Sequence, residues 1–324
     1  MSELNLFWPV YKNLEKEVLK LADYIHFSDD QTKVYSMHIA DLIVRCSIEI
    51  EAISKELYLK LGGNTNPINN DGSKRDLYFD TDCLDLLETN WKLSKKQVMI
   101  SANTFYFIEE KNKVLSPLYK ANKRGTSGSK WKQAYQAIKH SRKVSLKKAT
   151  IENLLNAMGA LYILNLYYKD ECIKIEESSK FDMSLGSDIF SIFTYKILNI
   201  TESPYMDDKS AWPTKGSDLN QSTYIIKYTD ESFRIMHRDF CRDYKITLKN
   251  YRESTEIQNF LKKNPDYNVE TISKTCIDIG GIDLHDRIVS RKYVNTPGKC
   301  NVEAILNKHT NIYPTLTISE EEII

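Results

Sequence analysis

The chain has 324 residues, enough for about two domains with cores of their own and no need of disulfide or metal staples. Its 41% hydrophobic and 27% charged residues, with only 11 Gly and 8 Pro, exclude collagen-like, low-complexity and wholly disordered chains. A net charge of +1 points to no class of partner until its distribution along the chain is read.

The opening MSELNLFWPV holds Glu3 and Pro9 and lacks a basic start followed by an apolar run, so no secretory leader is expected and the compartment is read as cytoplasmic. Val10, Leu14, Val18, Leu21 and Ile25 then predict an amphipathic helix over about 9–25. Ser28-Asp29-Asp30 offers a cap for a longer helix over about 31–61, stopped by Gly62-Gly63. Along it Ile39, Leu42, Cys46, Ile50, Ile53, Leu57 and Leu61 make one buried stripe. A polar loop follows at 64–73, then a short helix over 81–91. Residues 97–101 with 104–108 fit either a hairpin or a buried helix.

Trp131, Ala134, Tyr135 and Ile138 mark a helix ending near His140, and Thr150 caps the next, over 151–168. That helix is apolar nearly all round, which makes it the central helix of a bundle. It is interrupted by Asn156 and Asn165 and is too short to span a bilayer. Past it the period shifts towards two: 188–198, 223–228 and 244–249 read as strands, 253–263 as a helix, and Gly280-Gly281 as a loop. The fold class expected is therefore α plus α+β. An N-terminal helical bundle (1–170) and a linker (171–186) precede a smaller α+β domain (187–318) with a mostly antiparallel sheet, and the tail (319–324) frays.

Charge is concentrated. Residues 111–148 carry twelve Lys and Arg and no Asp or Glu, against 33 basic and 44 acidic residues elsewhere. Lys120, Lys123, Arg124, Lys130, Lys132, Lys139, Arg142, Lys143, Lys147 and Lys148 are the candidate nucleic-acid contacts, because such a run attracts phosphates. A solvated lysine-rich loop, or a contact with the acidic body of another copy, is the competing reading. At 100° per residue His38, Arg45, Glu49 and Glu56 share one edge of the long helix's apolar stripe. Arg45 and Glu49 stand at the spacing of an i, i+4 ion pair, and His140 is expected opposite them.

The six cysteines lie far apart without a CxxC pair and are read as reduced thiols. His237, Asp239 and Cys241, and likewise Asp283, His285 and Asp286, are metal-ligand types that lack a second spaced pair to complete a site. Asp283 and Asp286 read instead as the end of a strand and its turn. Arg234, Arg238, Arg242 and Arg252, near Tyr244 and Tyr251, suggest a second basic and aromatic surface or simply a solvated sheet face. There is no Walker loop, GxGxxG, HExxH or GxSxG, so no cofactor and no metal is expected.

The long helix with Arg45-x3-Glu49, the later Lys139-His140-Ser141-Arg142 helix end and the Ala149-Thr150-x-x-Asn153-Leu154-Leu155-Asn156-Ala157 helix together resemble the helical bundle of the HEPN superfamily over about 30–170. The resemblance implies a homodimer and a role in RNA processing or prokaryotic defence. HEPN ribonucleases carry an Arg separated from a following His by four to six residues. Here only His140 matches: Gln133, Ala134 and Tyr135 stand where that Arg belongs. What carries over is dimerisation and the binding of nucleic acid or a nucleoprotein partner, as a non-catalytic accessory protein, for instance of a phage-defence or CRISPR-type system. One alternative is a metal-independent ribonuclease, with His140 as acid or base and Arg142, Lys139, Arg45 or Glu49 around it. Another is a protein scaffold without nucleic acid. No membrane partner is expected.

Overall fold

The computed structural model describes residues 5–69, 71–175, 181–198 and 217–313. The frayed tail expected at 319–324 and part of the expected linker lie outside these residues. Contacts divide the chain into two units: Met1–Ile197 with Pro213–Ile226 and Ala304–Thr310, and Leu198–Trp212 with Lys227–Glu303 and Asn311–Ile324. The fold is a helical region plus an α+β part with two small, mostly antiparallel sheets.

Unit 1 opens with α1 (Phe7–Leu21) and α2 (Met37–Lys60). The helix expected over 31–61 starts later, because Ser36 rather than Ser28 caps it, accepting from Ile39 N at 3.1 Å. The Ser28-Asp29-Asp30 run instead begins a 3-10 turn at Asp29–Gln31, and the Asp29 carboxylate is taken by the backbone N–H groups of Ile108 and Glu109 and by Asn112. From Ile39 to Leu57 the expected stripe of α2 is buried. A widely wound turn at Phe79–Leu84 runs into α3 (Asp85–Trp91). Strand β1 (Val98–Ile100) follows, then the single turn α4 (Glu110–Lys113) and β2 (Val114–Leu115). The 97–101 segment is a strand, but it forms no hairpin with 104–108. It pairs antiparallel with β2 (Val98 opposite Leu115) and with β4 (Phe190–Ile192; Ile100 opposite Phe190).

Next come α5 (Lys130–Ser145) and α6 (Ile151–Lys169). Thr150 caps α6 as expected, accepting from Asn153 N at 3.3 Å, and 14 of the helix's residues are buried. Gly159 permits this depth: a Cβ there would sit 3.3 Å from Val98 and 3.4 Å from Pro117. Tyr162 stacks on Tyr11 and Phe190, and Tyr167 on Trp91, so α6 is the axis of the core. Strands β3 (Ile173–Ile175), β5 (Thr194–Ile197), β6 (Tyr224–Tyr228) and β7 (Val302–Leu306) form the other sheet, in the order β3-β7-β6-β5, and α7 (Ser217–Gln221) precedes β6.

Among the wholly buried side chains of unit 1 are an acid, Glu15, and a base, Lys96. Glu15 of α1, 0% exposed, accepts from Tyr11 Oη (2.8 Å), Ser187 Oγ (2.5 Å) and the Asp188 (2.9 Å) and Ile189 (3.2 Å) N–H groups, and is paired with Lys12. Lys96, also 0% exposed, has its Nζ 3.2 Å from His309 Nε2. Burial, with Lys92 nearby, pushes the Lys96 ammonium down to about 7, and burial with Lys96 and Lys92 pushes His309 down to about 3. Glu88 acts on Lys96 in the other sense but spends both oxygens on Ser94.

Unit 2 contains α8 (Asp230–Glu253), α9 (Thr255–Lys263) and α10 (Ile272–Ile288). The strand expected at 244–249 is part of α8. Tyr-Lys-Ile-Thr-Leu alternates locally, but Phe233, Met236, Asp243 and Thr247 are buried at helical spacing, Thr229 caps the helix and Asp230 and Glu231 fill its first turn. The helix expected at 253–263 is present. Gly280 and Gly281 kink α10 rather than forming a loop, Gly281 at φ 67°, ψ −162°, and Asp283 and Asp286 lie on this helix, not at a strand end. Its small core is Ile257, Cys276, Leu284 and Ile288.

Candidate nucleic-acid interface

Helix α5 is set by its apolar face. Trp131, Ala134, Tyr135 and Ile138 are buried at three- and four-residue spacing, and Trp131 Nε1 donates to Pro117 O at 2.8 Å. The helix breaks at Ser141 (φ −152°, ψ 72°), one residue beyond His140, and a 3-10 turn at Leu146–Lys148 joins it to α6.

Ten of the twelve cations of 111–148 fall into two groups. Lys132 is 3% exposed and donates to Asp80 (3.1 Å), to Ala121 O (2.8 Å) and to Lys123 O; Arg124 Nε reaches the same carboxylate at 3.0 Å and covers the Tyr78 ring at 3.6 Å. Burial alone would raise the Asp80 carboxyl, but Lys132 and Arg124 outweigh it and hold Asp80 below the ordinary range. Lys123 lies 3.7 Å from Asp85, Lys111 2.6 Å from Glu109, and Lys130 3.4 Å from Glu152, which also pairs with Lys33. Lys123, Arg124, Lys130 and Lys132 brace the loop between β2 and α5 against acids supplied by other segments, while Lys111 pairs within its own turn. Lys120, with φ +58°, sits over its neighbour Tyr119.

Lys139, Arg142, Lys143, Lys147 and Lys148 are all exposed, and among the described residues no carboxylate pairs with any of them. Lys139 Nζ rests 5.6 Å from the Tyr135 ring. Five cations thus stand within ten residues around the Ser141 break, with exposed Val144 among them (73%). A helix C-terminus favours cations by about 0.3–1 kcal/mol each, too little to neutralise five charges in one place.

The residues considered for catalysis do not form a constellation. His140 and Arg142 are exposed, and no described contact joins them to α2. Arg45 pairs with Glu17 of α1 at 2.8 Å and approaches Asp41 at 3.9 Å, not the expected Glu49. Burial raises the Glu49 carboxyl. The polar link between α5 and α2 is Tyr135 with Glu51, where burial, then Glu51, lifts the phenol to about 12. Sequence reasoning missed Asp80, Asp85 and Glu152 as counter-ions, since each lies far along the chain from its partner.

The metal-ligand types are otherwise engaged. His237 lies against Cys241 Sγ at 3.9 Å; His285 Nδ1 faces Asp286 at 2.9 Å, and its Nε2 accepts from Arg291. Among the described residues no group of three or more His, Cys, Asp or Glu is placed to hold a metal ion, and no helix is long and apolar enough to cross a membrane. Compared with family models, curated proteins and solved structures, the chain shows no match.

Proposed function

We propose that the chain is a cytoplasmic, non-catalytic accessory protein that binds the phosphate backbone of nucleic acid through Lys139, Arg142, Lys143, Lys147 and Lys148. The supporting observation is that these five exposed cations share the end of α5 and the turn that follows it, and that no carboxylate among the described residues pairs with them. Lys123, Arg124, Lys130 and Lys132 act in this reading as internal braces. The HEPN-like relationship, the homodimer it implies and a place in a prokaryotic defence assembly belong to the same proposal. They are supported by the pairing of the long α2 with the buried α6 and by the Lys139-His140-Ser141-Arg142 helix end.

Five phosphate contacts give a slope of log K against log salt of about −4.5 on duplex and about −3.5 on single strands. Affinity then falls by roughly 500-fold or 130-fold between 50 and 200 mM salt. Fluorescence anisotropy with labelled RNA and DNA oligonucleotides measures this. Replacing Lys147 and Lys148 with Ala reduces the slope by about 1.4 to 1.8. A flat titration, or a slope unmoved by that double variant, refutes the proposal.

A further inference from the structure

Unit 2 holds a cavity that the basic surface does not use. It measures about 840 Å³ and lies between α8, the connection from α9 to α10 and the turn after α10, within the size range of small-molecule sites. Its construction is specific. Asp243, 2% exposed, accepts from Ser290 Oγ at 2.6 Å and from Tyr293 N at 2.7 Å, and Thr247 Oγ1 accepts from Ser290 N at 2.9 Å. These bonds pin residues 290–293 to α8, so the cavity is formed before any ligand arrives.

The walls are aromatic. Phe240 and Tyr244 lie parallel within 8° at 6.3 Å, and Tyr293 meets Phe240 edge-on at 5.3 Å. Tyr244 nevertheless stays 52% exposed. Tyr251 Oη, in the same wall, is buried without a hydrogen-bond partner, so the wall keeps a polar group unspent.

The charge of the lining is positive once internal pairings are counted. Both Asp243 oxygens are committed, as above, and Glu270 is held by Lys274 at 2.8 Å. Arg252 has no carboxylate partner among the described residues, and Arg291 donates Nη2 to His285 Nε2 at 2.9 Å. That bond makes His285 an acceptor at Nε2 and leaves its proton on Nδ1, facing Asp286, so the Arg291 charge is not neutralised by its neighbour. Arg252 lies eight residues beyond Tyr244, about 12 Å along α8, so the two side chains stand at different levels of the cavity wall.

We infer that this cavity binds a nucleoside 5′-phosphate, the base on Tyr244 and the phosphate on Arg252 and Arg291. Aromatic faces take any base by stacking, and guanidinium groups hold phosphate through paired N–H bonds. The inference does not rest on the nucleic-acid reading.

Isothermal titration of the full chain with AMP, GMP, CMP and UMP, each beside its free nucleoside and inorganic phosphate, tests it. At least one nucleotide is expected to saturate with a dissociation constant below about 1 mM. Its nucleoside, and the nucleotide with Tyr244→Ala or Arg252→Ala, are expected to bind about tenfold more weakly or worse. Both side chains are largely exposed, and circular dichroism checks that the variants fold. The Lys147→Ala, Lys148→Ala protein is expected to bind the nucleotide unchanged, which separates this site from the basic surface. Absence of saturation with all four nucleotides overturns the inference. So does a nucleoside that binds as well as its phosphate, or affinity indifferent to both substitutions.

Discussion

Replacing Lys96 with Met removes a buried ammonium, and its effect follows from the surroundings of that group. In the folded chain Lys96 titrates near 7, against an ordinary lysine value of 10.5. Between those values the unfolded chain holds a proton that the folded chain has lost, so stability rises with pH, by about 1.4 kcal/mol per pH unit. Below 7 both states are charged, and the penalty levels off at roughly 5 kcal/mol. From pH 7 to pH 9 the wild type therefore gains about 2 kcal/mol through this group, half a proton being already lost at the lower limit. His309, held near 3, adds almost nothing in that window. The buried cysteines shift with pH in both proteins and cancel in the difference. Urea unfolding of wild type and Lys96→Met at the two pH values gives the quantity directly. Relative to wild type, the variant is expected to be more stable at pH 7 and to lose about 2 kcal/mol of that advantage by pH 9. A difference constant within about 0.5 kcal/mol would refute the reasoning.

Glu15→Ala removes the acceptor of the Ser187 hydroxyl and the Asp188 N–H and one of the partners of Ile189 N–H and Tyr11 Oη, and is expected to cost about 3–5 kcal/mol in chemical denaturation; a loss under about 1 kcal/mol would contradict the assignment. Gly281→Ala meets no atom within 4 Å, so its expected cost of about 1–3 kcal/mol is purely that of the backbone conformation, and thermal unfolding with no loss would show that α10 relaxes there.

Elements whose local and tertiary signals agree were legible in the sequence. Thr150 both looks like a cap and is one, and α6 is apolar all round because it is buried all round. Signals that tertiary contacts reassign were not. Ser28-Asp29-Asp30 has the chemistry of a cap, but Asp29 is spent on residues 108–112, leaving Ser36 to start α2. Alternation over Tyr244–Lys249 mimics a strand, while the burial of Asp243 and Thr247 one turn apart belongs to a helix. The basic segment shows the same division. That it contains no acid is plain from the sequence, yet Asp80, Asp85 and Glu152 reach it only in the fold. The contrast between the braced, buried Lys132 and the exposed Lys147 is therefore a property of the structure. The cavity of unit 2 draws on three separate stretches, and of its two arginines only Arg252 stood out in the sequence, as part of a basic and aromatic surface.

The chain leaves unit 1 on β6 at Ile226 and regains it on β7 at Ala304. Asn307 N donates to Thr223 O, and Thr229 N to Asn301 O, which is the ladder of an antiparallel pair. Residues 230–300 thus occupy the position that a tight turn fills in an ordinary hairpin. The register of β6 against β7 is set by the ladder itself, so it does not depend on the length of the connection between them. Each doubling of that connection costs only about 0.6 kcal/mol of closure entropy, so its length is weakly constrained by the sheet.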